Sequence, residues 1–269
     1  MSSAANQFLK RVLPARLQRF IYRFLWNPVR DAYWARLKLG CELPSGLQVE
    51  IRNRSDWTIF TEVMVGEEYD RAIDFALSRR QAGPPFVVAD LGGNVGYFTL
   101  RCADRFFRDA GSFDSLQIVL VEGSPVVFRE VQRRISTQPP LKKTVTVRHG
   151  LVGSRRHGDA YIGGSHIHYS NVASTSSTPG AMRVPFIDLD REFSATAEID
   201  LLKCDIEGAE FDFIEAYPAL LRRVRAAVVE FHRYGRDFDS ARAALHDCGL
   251  VHREVLRETA AISIEFYWR

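Results

Sequence analysis

The 269-residue chain has only four cysteines, Cys41, Cys102, Cys204 and Cys248, far apart and without a C-x-x-C pair. That excludes a zinc knuckle and a disulfide-stapled secreted scaffold and makes a reducing, cytoplasmic setting the expectation. No run of about 18 apolar residues occurs, so no membrane span is expected. Nor does an apolar stretch lead to a small-residue cleavage site, since Lys10, Arg11 and Arg16 interrupt the N-terminal apolar positions. Fixed-period repeats are missing, which removes solenoids. A strong excess of one charge is missing too: 36 Lys+Arg against 33 Asp+Glu leave +3, too little to argue for a nucleic-acid partner. At 46% hydrophobic and 26% charged the composition is globular, suited to one large or two modest domains.

What charge there is sits unevenly. Residues 1–40 carry eight basic side chains against the single acid Asp31, a net of +7, leaving 28 basic against 32 acidic, or −4, in the remainder. Apolar residues from Phe8 to Leu25 recur at a helical period with Arg16, Arg19 and Arg23 between them, and Pro14 starts or kinks this helix. A basic amphipathic helix can make peripheral contact with an anionic membrane. Its apolar stripe can equally dock on the protein's own core or pair two chains into a homodimer. Residues 1–55 therefore read as a basic, amphipathic helical extension. A second helical segment is predicted over Asp56–Ser78, and Ala82-Gly83-Pro84-Pro85 then breaks the chain. The main domain is taken as residues 56–269, its core starting near residue 84.

From there short apolar runs alternate with helical segments. Phe86–Ala89, Gln117–Val121, Thr144–Val147, Ile199–Cys204 and Ala226–Phe231 have the character of buried parallel strands. Tyr97–Phe107, Pro125–Ile135 and about Glu210–Arg222 read as helices between them. This alternation predicts an α/β, Rossmann-like parallel sheet. Val251–Leu256 and Ala261–Trp268 are joined by a short turn and predict an antiparallel hairpin at the sheet edge. Residues 163–181 are rich in Ser, Thr and Gly and read as a loop or β-excursion over the ligand side; in it, His166 and His168 are taken as exposed loop residues.

Ligands of such sheets bind beyond the strand carboxyl ends, where strand order reverses. The first core strand ends in Asp90-Leu91-Gly92-Gly93-Asn94-Val95-Gly96-Tyr97. A dinucleotide fingerprint would need glycine at 92, 94 and 97, and Asn94 and Tyr97 stand at two of these, so nicotinamide binding is disfavoured. The turn suits a compact ligand with a carboxylate, met by backbone N–H groups and the Asn94 amide at a helix N-terminus. Glu122 ends the second strand, where a ribose diol would lie if an adenosine crosses the switch point; its alternative role is to cap the helix after Gly123-Ser124-Pro125.

These residues resemble the FkbM-type methyltransferases of the class I S-adenosylmethionine-dependent group. The resemblance runs through Ile59-Phe60-Thr61-Glu62-Val63 with Glu68-Tyr69, Asp90–Gly96, Val121-Glu122, Glu230-Phe231-His232 and, most specifically, Asp200-Leu201-Leu202-Lys203-Cys204-Asp205-Ile206-Glu207-Gly208-Ala209-Glu210. It covers about residues 56–256 and departs from the usual motif at Gly93, where alanine is common. It implies a seven-stranded, mostly parallel sheet with an antiparallel last strand, S-adenosylmethionine as cofactor and O-methylation of a sugar, glycan or natural product. By position it implies that Gly92, Gly93 and Asn94 line the methionine moiety, Glu122 binds the ribose hydroxyls, Ser124 and the loop His149-Gly150-Leu151-Val152 border the adenine, and Tyr69 reaches the cofactor carboxylate. Asp90 would orient the turn's N–H groups or accept from the cofactor amine.

A sugar hydroxyl is a poor nucleophile near neutral pH, so a base is expected, and His232 at the end of the fifth strand is the first candidate. Asp205 and Glu207 would flank the methyl position, binding acceptor hydroxyls, orienting His232 or holding a divalent cation. Glu210 reads as a helix cap, and Tyr161, Tyr169, Phe186 and Tyr234 as aromatics available to stack on a sugar. Two other readings are a catalytically inactive scaffold that keeps the cofactor fold and a nucleic-acid methyltransferase. The slightly acidic core argues against the latter.

Overall fold

The computed structural model describes residues 27–37, 39–162, 173–174, 181–233 and 237–269. The basic helix predicted over residues 8–25, His166, His168, Tyr169 and Tyr234 lie outside the described residues. In chain order the elements are α1 (Asn27–Leu37), β1 (Leu39–Glu42), β2 (Gln48–Ile51), α2 (Arg54–Phe60), α3 (Asp70–Ser78), β3 (Phe86–Leu91), α4 (Tyr97–Ala110), β4 (Leu116–Glu122), α5 (Pro125–Ser136) and β5 (Val145–His149). Then come β6 (Asp159–Ile162), β7 (Ala173–Ser174), β8 (Met182–Pro185), α6 (Leu189–Glu192), β9 (Leu201–Cys204), α7 (Glu210–Ala216), α8 (Pro218–Leu221), β10 (Ala226–His232), α9 (Phe238–Asp247), β11 (His252–Glu258) and β12 (Ile262–Trp268).

Seven strands form one sheet in the order β11-β12-β10-β9-β3-β4-β5. β9, β3, β4, β5 and β10 run parallel, and β12 is inserted antiparallel between β10 and β11. The expected edge hairpin is thus present, as is the mostly parallel Rossmann-like sheet. Helices cover both faces, which is why every residue of β3 is buried. Alternate residues serve opposite cores: Phe86 and Val88 pack with α3, α4 and α5, while Val87, Ala89 and Leu91 pack with the α6–α9 side. Strand order reverses between β3 and β9, so the loops after Leu91 and Cys204 flank a crevice.

Three local expectations change. Residues 39–51, read as part of a helical extension, contain the antiparallel β1–β2 hairpin. Gly46, at φ 82°, turns the chain, and buried Leu47 and Val49 join the core. The hairpin is tied down by Tyr97 Oη donating to the Glu50 carbonyl (2.6 Å) and by a buried Arg134–Asp56 ion pair at the start of α2. The predicted helix over Asp56–Ser78 is interrupted: Thr61–Val65 is a π-helical turn, closed by Gly66 N–H donating to Thr61 O (2.7 Å), and α3 restarts at Asp70. Such bulges re-aim side chains, and here Glu62, Val63, Glu68 and Tyr69 turn toward one cleft. The predicted helix from Glu210 breaks at Tyr217, because Pro218 begins α8 without an N–H to give. Strands β6 and β8, which flank the predicted loop or β-excursion over residues 163–181, form a small antiparallel sheet with β7, in the order β7-β6-β8; residues 163–172 and 175–180 lie outside the described residues. No helix among the described residues is long and apolar enough to cross a membrane.

Candidate active site

The turn after β3 is built by internal crowding. A Cβ on Gly92 (φ 74°) would sit 1.7 Å from the Asp205 carbonyl oxygen, so this glycine lets the β3 and β9 loops touch. A Cβ on Gly93 would lie 2.3 Å from Leu120 Cγ. The turn's glycines are therefore required by neighbouring protein atoms, a reason the sequence alone does not show. Asn94 adopts φ 50°, and its Oδ1 accepts from Val95 N–H (2.8 Å).

Glu122 braces this turn. Its two carboxylate oxygens accept from Asn94 N–H (2.9 Å) and Ser124 N–H (2.6 Å). Burial pushes its carboxyl up to about 7, against the pull of those two bonds. Ser124, not Glu122, caps α5, its Oγ accepting from Val127 N–H at 3.5 Å.

Asp90 lines neither cleft: it is fully buried, accepts from Thr99 Oγ1 (2.7 Å), and faces Lys203 Nζ at 3.6 Å. Burial raises its pKa and Lys203 only partly offsets that. Lys203, itself buried, donates to the Gly92 carbonyl (2.7 Å) and also pairs with Asp205 (3.5 Å). This ammonium locks the two loops together. The sequence reading quoted Lys203 in a motif without giving it a role.

Two clefts meet at these loops. One, about 560 Å³ with its open mouth, is lined by Gly92, Asn94, Glu122, Ser124, Leu151 and Ile162, with further residues of the same loops. The other, about 1220 Å³ with its open mouth, is lined by residues including Tyr69, Gly93, Glu68, Lys203, Glu230 and Arg257. Asn94, Asp205 and Glu207 belong to both. Of the sequence-predicted residues, then, Gly92, Asn94, Glu122, Ser124 and Leu151 share the narrow cleft, and Tyr69 and Gly93 open on the wide one. Tyr161 and Phe186 line neither.

His232 ends β10 behind Glu207. Its Nδ1 is 3.1 Å from Glu210 Oε1, and its Nε2 is 3.4 Å from Glu207 and 4.0 Å from Glu230. Burial alone would lower the imidazole, but the Glu210 hydrogen bond and the charges of Glu210, Asp205 and Glu207 outweigh it and lift it to about 9. Burial and the Asp205 charge push Glu207 to about 7 and Glu230 to about 8. Burial also raises Glu68 to about 7, against Arg257, which it pairs with at 2.8 Å. Sequence reasoning missed Glu68, Glu230 and Arg257. Glu68 and Glu230 had visible signals, the first beside Tyr69 and the second two residues before His232 and so on the same face of the strand. Asp205, Glu210 and His232 also place ligating atoms within 4.8 Å of one another.

The sequence model of the methyltransferase FkbM domain matches residues 90–251. No curated protein sequence matches significantly. Among solved structures, the N-terminal domain of EvdMO1 with SAH bound is similar at 16% identity and a TM-score of 0.47, over 93% of this chain and 96% of that one. This chain covers 40% of the longer EvdMO1 chain, at 20% identity and a TM-score of 0.41 over 75% of itself. The METTL16 MTase domain is similar at 11% identity and a TM-score of 0.47, over 96% and 97% of the two chains. The precorrin-6y C5,15-methyltransferase of Geobacter metallireducens is similar at 12% identity and a TM-score of 0.42, over 73% and 88%. With the methyltransferase FkbM domain matching more than half of its length, the chain belongs to the FkbM methyltransferase family and is an S-adenosylmethionine-dependent methyltransferase.

Proposed function

We propose that the protein methylates a hydroxyl oxygen of a sugar, glycan or natural-product small molecule. The observation that carries this reading is the shared wall: Asn94, Asp205 and Glu207 belong to a narrow cleft and to a wide one, so a group held in the first can be passed to a molecule held in the second. The narrow cleft is lined as an adenosine site would be. Leu151, Val152 and Ile162 offer apolar surface for a base, bordered by Ser124. Glu122 has spent two of its roughly four acceptor sites on backbone N–H groups, leaving the others for a ribose diol. Gly92, Gly93, Asn94 and Tyr69 then surround the methionine end. Asp90 acts from below, by holding Lys203. The bound S-adenosylmethionine supplies an electrophilic methyl on a positively charged sulfur.

The chain's own residues supply the acceptor side. Asp205 and Glu207 bind and aim the acceptor, and His232, in the deprotonated form that grows as pH rises toward about 9, takes its hydroxyl proton, a contribution of roughly 10²–10⁴-fold for a placed base. The wide cleft presents Glu62, Glu68, Asp205, Glu207 and Glu230 against Lys203 and Arg257. That excess of carboxylates supports a small uncharged or polyhydroxylated acceptor over a phosphate backbone. The basic segment of residues 1–26 meets an anionic membrane or a second copy of the chain. Deleting residues 1–26 should then release the protein from anionic vesicles or dissociate a dimer, and a truncated form unchanged in both would end that part of the proposal.

The test of the main proposal is transfer of labelled methyl from S-adenosylmethionine to a panel of sugars, glycans and polyketide alcohols, with the methyl located by mass spectrometry and NMR. Oxygen methylation that falls at least 100-fold in His232→Ala, with cofactor affinity kept, is the expected result. Methylation confined to nitrogen or to nucleic acid refutes it, and cofactor binding without transfer to any of these classes favours a scaffold.

A further inference from the structure

The role of Glu210 is the least expected feature of this site. It opens α7, where a glutamate would ordinarily serve the N–H groups of its own helix. Instead its Oε1 points back, accepting from Ile206 N–H (3.0 Å) and Gly208 N–H (2.9 Å) in the preceding loop. That loop needs bracing, because Glu207 (φ 57°) and Gly208 (φ 100°) are both left-handed and Glu207 is not a glycine. The same oxygen lies 3.1 Å from Nδ1 of His232, across on β10. The Glu210 side chain has no solvent exposure.

We propose that Glu210 is the positioning residue of His232, holding its Nδ1–H so that Nε2 is turned toward Glu207, a residue that lines the acceptor cleft. The inference rests on reading that cleft as the site of methyl transfer. An oxygen that accepts two backbone N–H bonds leaves Nδ1 as the donor in the third, and this fixes the tautomer. Nε2 then carries the lone pair and lies 3.4 Å from Glu207, a residue of the wall between the two clefts. When the acceptor oxygen bonds to the methyl, the carbon–sulfur electron pair stays on sulfur. The acceptor's hydroxyl proton moves to Nε2, and Nδ1–H stays on Glu210. The charged and titratable groups around the ring are Glu210 on α7, Asp205 and Glu207 in the loop after β9 and Glu230 on β10, with Lys203 of β9 paired to Asp205. One loop residue is thereby tied to both halves of the reaction, since the brace that shapes Glu207 also orients the base.

The experiment is long-range ¹H–¹⁵N NMR of the His232 ring in the full chain with S-adenosylhomocysteine, assigned by the signal lost in His232→Gln. Wild-type protein should show the Nδ1–H tautomer when the ring is neutral. Glu210→Gln should keep S-adenosylhomocysteine affinity within about twofold and lower the His232 titration midpoint by more than one pH unit. An Nε2–H tautomer in the wild type overturns the proposal, and so does a midpoint in Glu210→Gln within 0.3 unit of wild type. The wild-type tautomer needs no variant, so a misfolded Glu210→Gln does not shield the idea. Stoichiometric Mn²⁺ binding that broadens the His232 signals and is lost in Asp205→Asn overturns it in favour of a cation site. Failure of the wild type to bind S-adenosylhomocysteine at all sinks the methyl-transfer reading instead, a result distinct from any of these.

Discussion

Lys203→Met is the sharpest probe of how this site is held together. The substitution keeps much of the aliphatic volume but deletes an ammonium that is 5% exposed and lies 3.6 Å from Asp90, 3.5 Å from Asp205 and 2.7 Å from the Gly92 carbonyl. Asp90 is fully buried and would be left with only the Thr99 hydroxyl, while Asp205, partly exposed, can recover water. The loss is therefore that of one partner of a buried ion pair, about 3–5 kcal/mol, against a total stability of roughly 5–15 kcal/mol for a domain. At about 2–4 °C per kcal/mol for a chain near this size, the melting temperature should fall by roughly 6–20 °C. Urea denaturation of the cofactor-free protein measures the same quantity at constant temperature. The double variant Lys203→Met with Asp90→Asn should regain at least about 1 kcal/mol, since the buried charge is removed with its partner. A loss under 1 kcal/mol in the single variant, or no recovery in the double, would show that this lysine does not compensate Asp90.

Three other outcomes are expected. Glu122→Gln cannot accept from both Asn94 and Ser124 with one amide and should weaken S-adenosylmethionine binding by roughly 10–100-fold in calorimetry, at about 1.4 kcal/mol per decade; an unchanged affinity would remove Glu122 from the cofactor cleft. Gly93→Ala should destabilise by about 1–3 kcal/mol through its contact with Leu120, and Leu120→Val should relieve part of that; a neutral Gly93→Ala would mean that Leu120 moves aside freely. The third concerns pH. Glu68 and Glu207 rise from 4.5 to about 7, Glu230 from 4.5 to about 8 and His232 from 6.5 to about 9. The folded state thus holds more protons than the unfolded one between about pH 4.5 and 9. The stability from these groups is complete below their unfolded values and is lost as pH rises through the folded ones. The cofactor-free protein should therefore melt at progressively lower temperature from pH 5 to pH 9, less steeply near pH 8 in Glu230→Gln, and a melting temperature that rises over this range contradicts the shifts.

Much of the fold could be read along the chain because its strands bury both faces and so appear as unbroken apolar runs, as Phe86–Leu91 does. The loop chemistry was legible wherever one short segment carries it, as in Asp90–Gly96 and Asp205–Glu210. What escaped came from elements distant in sequence. Glu68 and Arg257 are an ion pair separated by nearly the whole domain, and nothing local in either segment announces it. The burial of Asp90 beside Lys203 was likewise invisible in the sequence, where its place at a strand end pointed only to the glycine turn and a cofactor.

The sequence by itself determined the alternation of strands and helices, the glycine turn after β3, the acidic end of β4 and the family, because periodicity and short motifs are properties of neighbouring residues. Tertiary structure alone decided that Gly92 is required by the Asp205 carbonyl, that Glu210 turns back to His232, and that one wall serves two clefts. Each of those depends on the distance between β3, β9 and β10 at their carboxyl ends. That distance is set when helices pack on both faces of the sheet, so no single segment of the chain contains it.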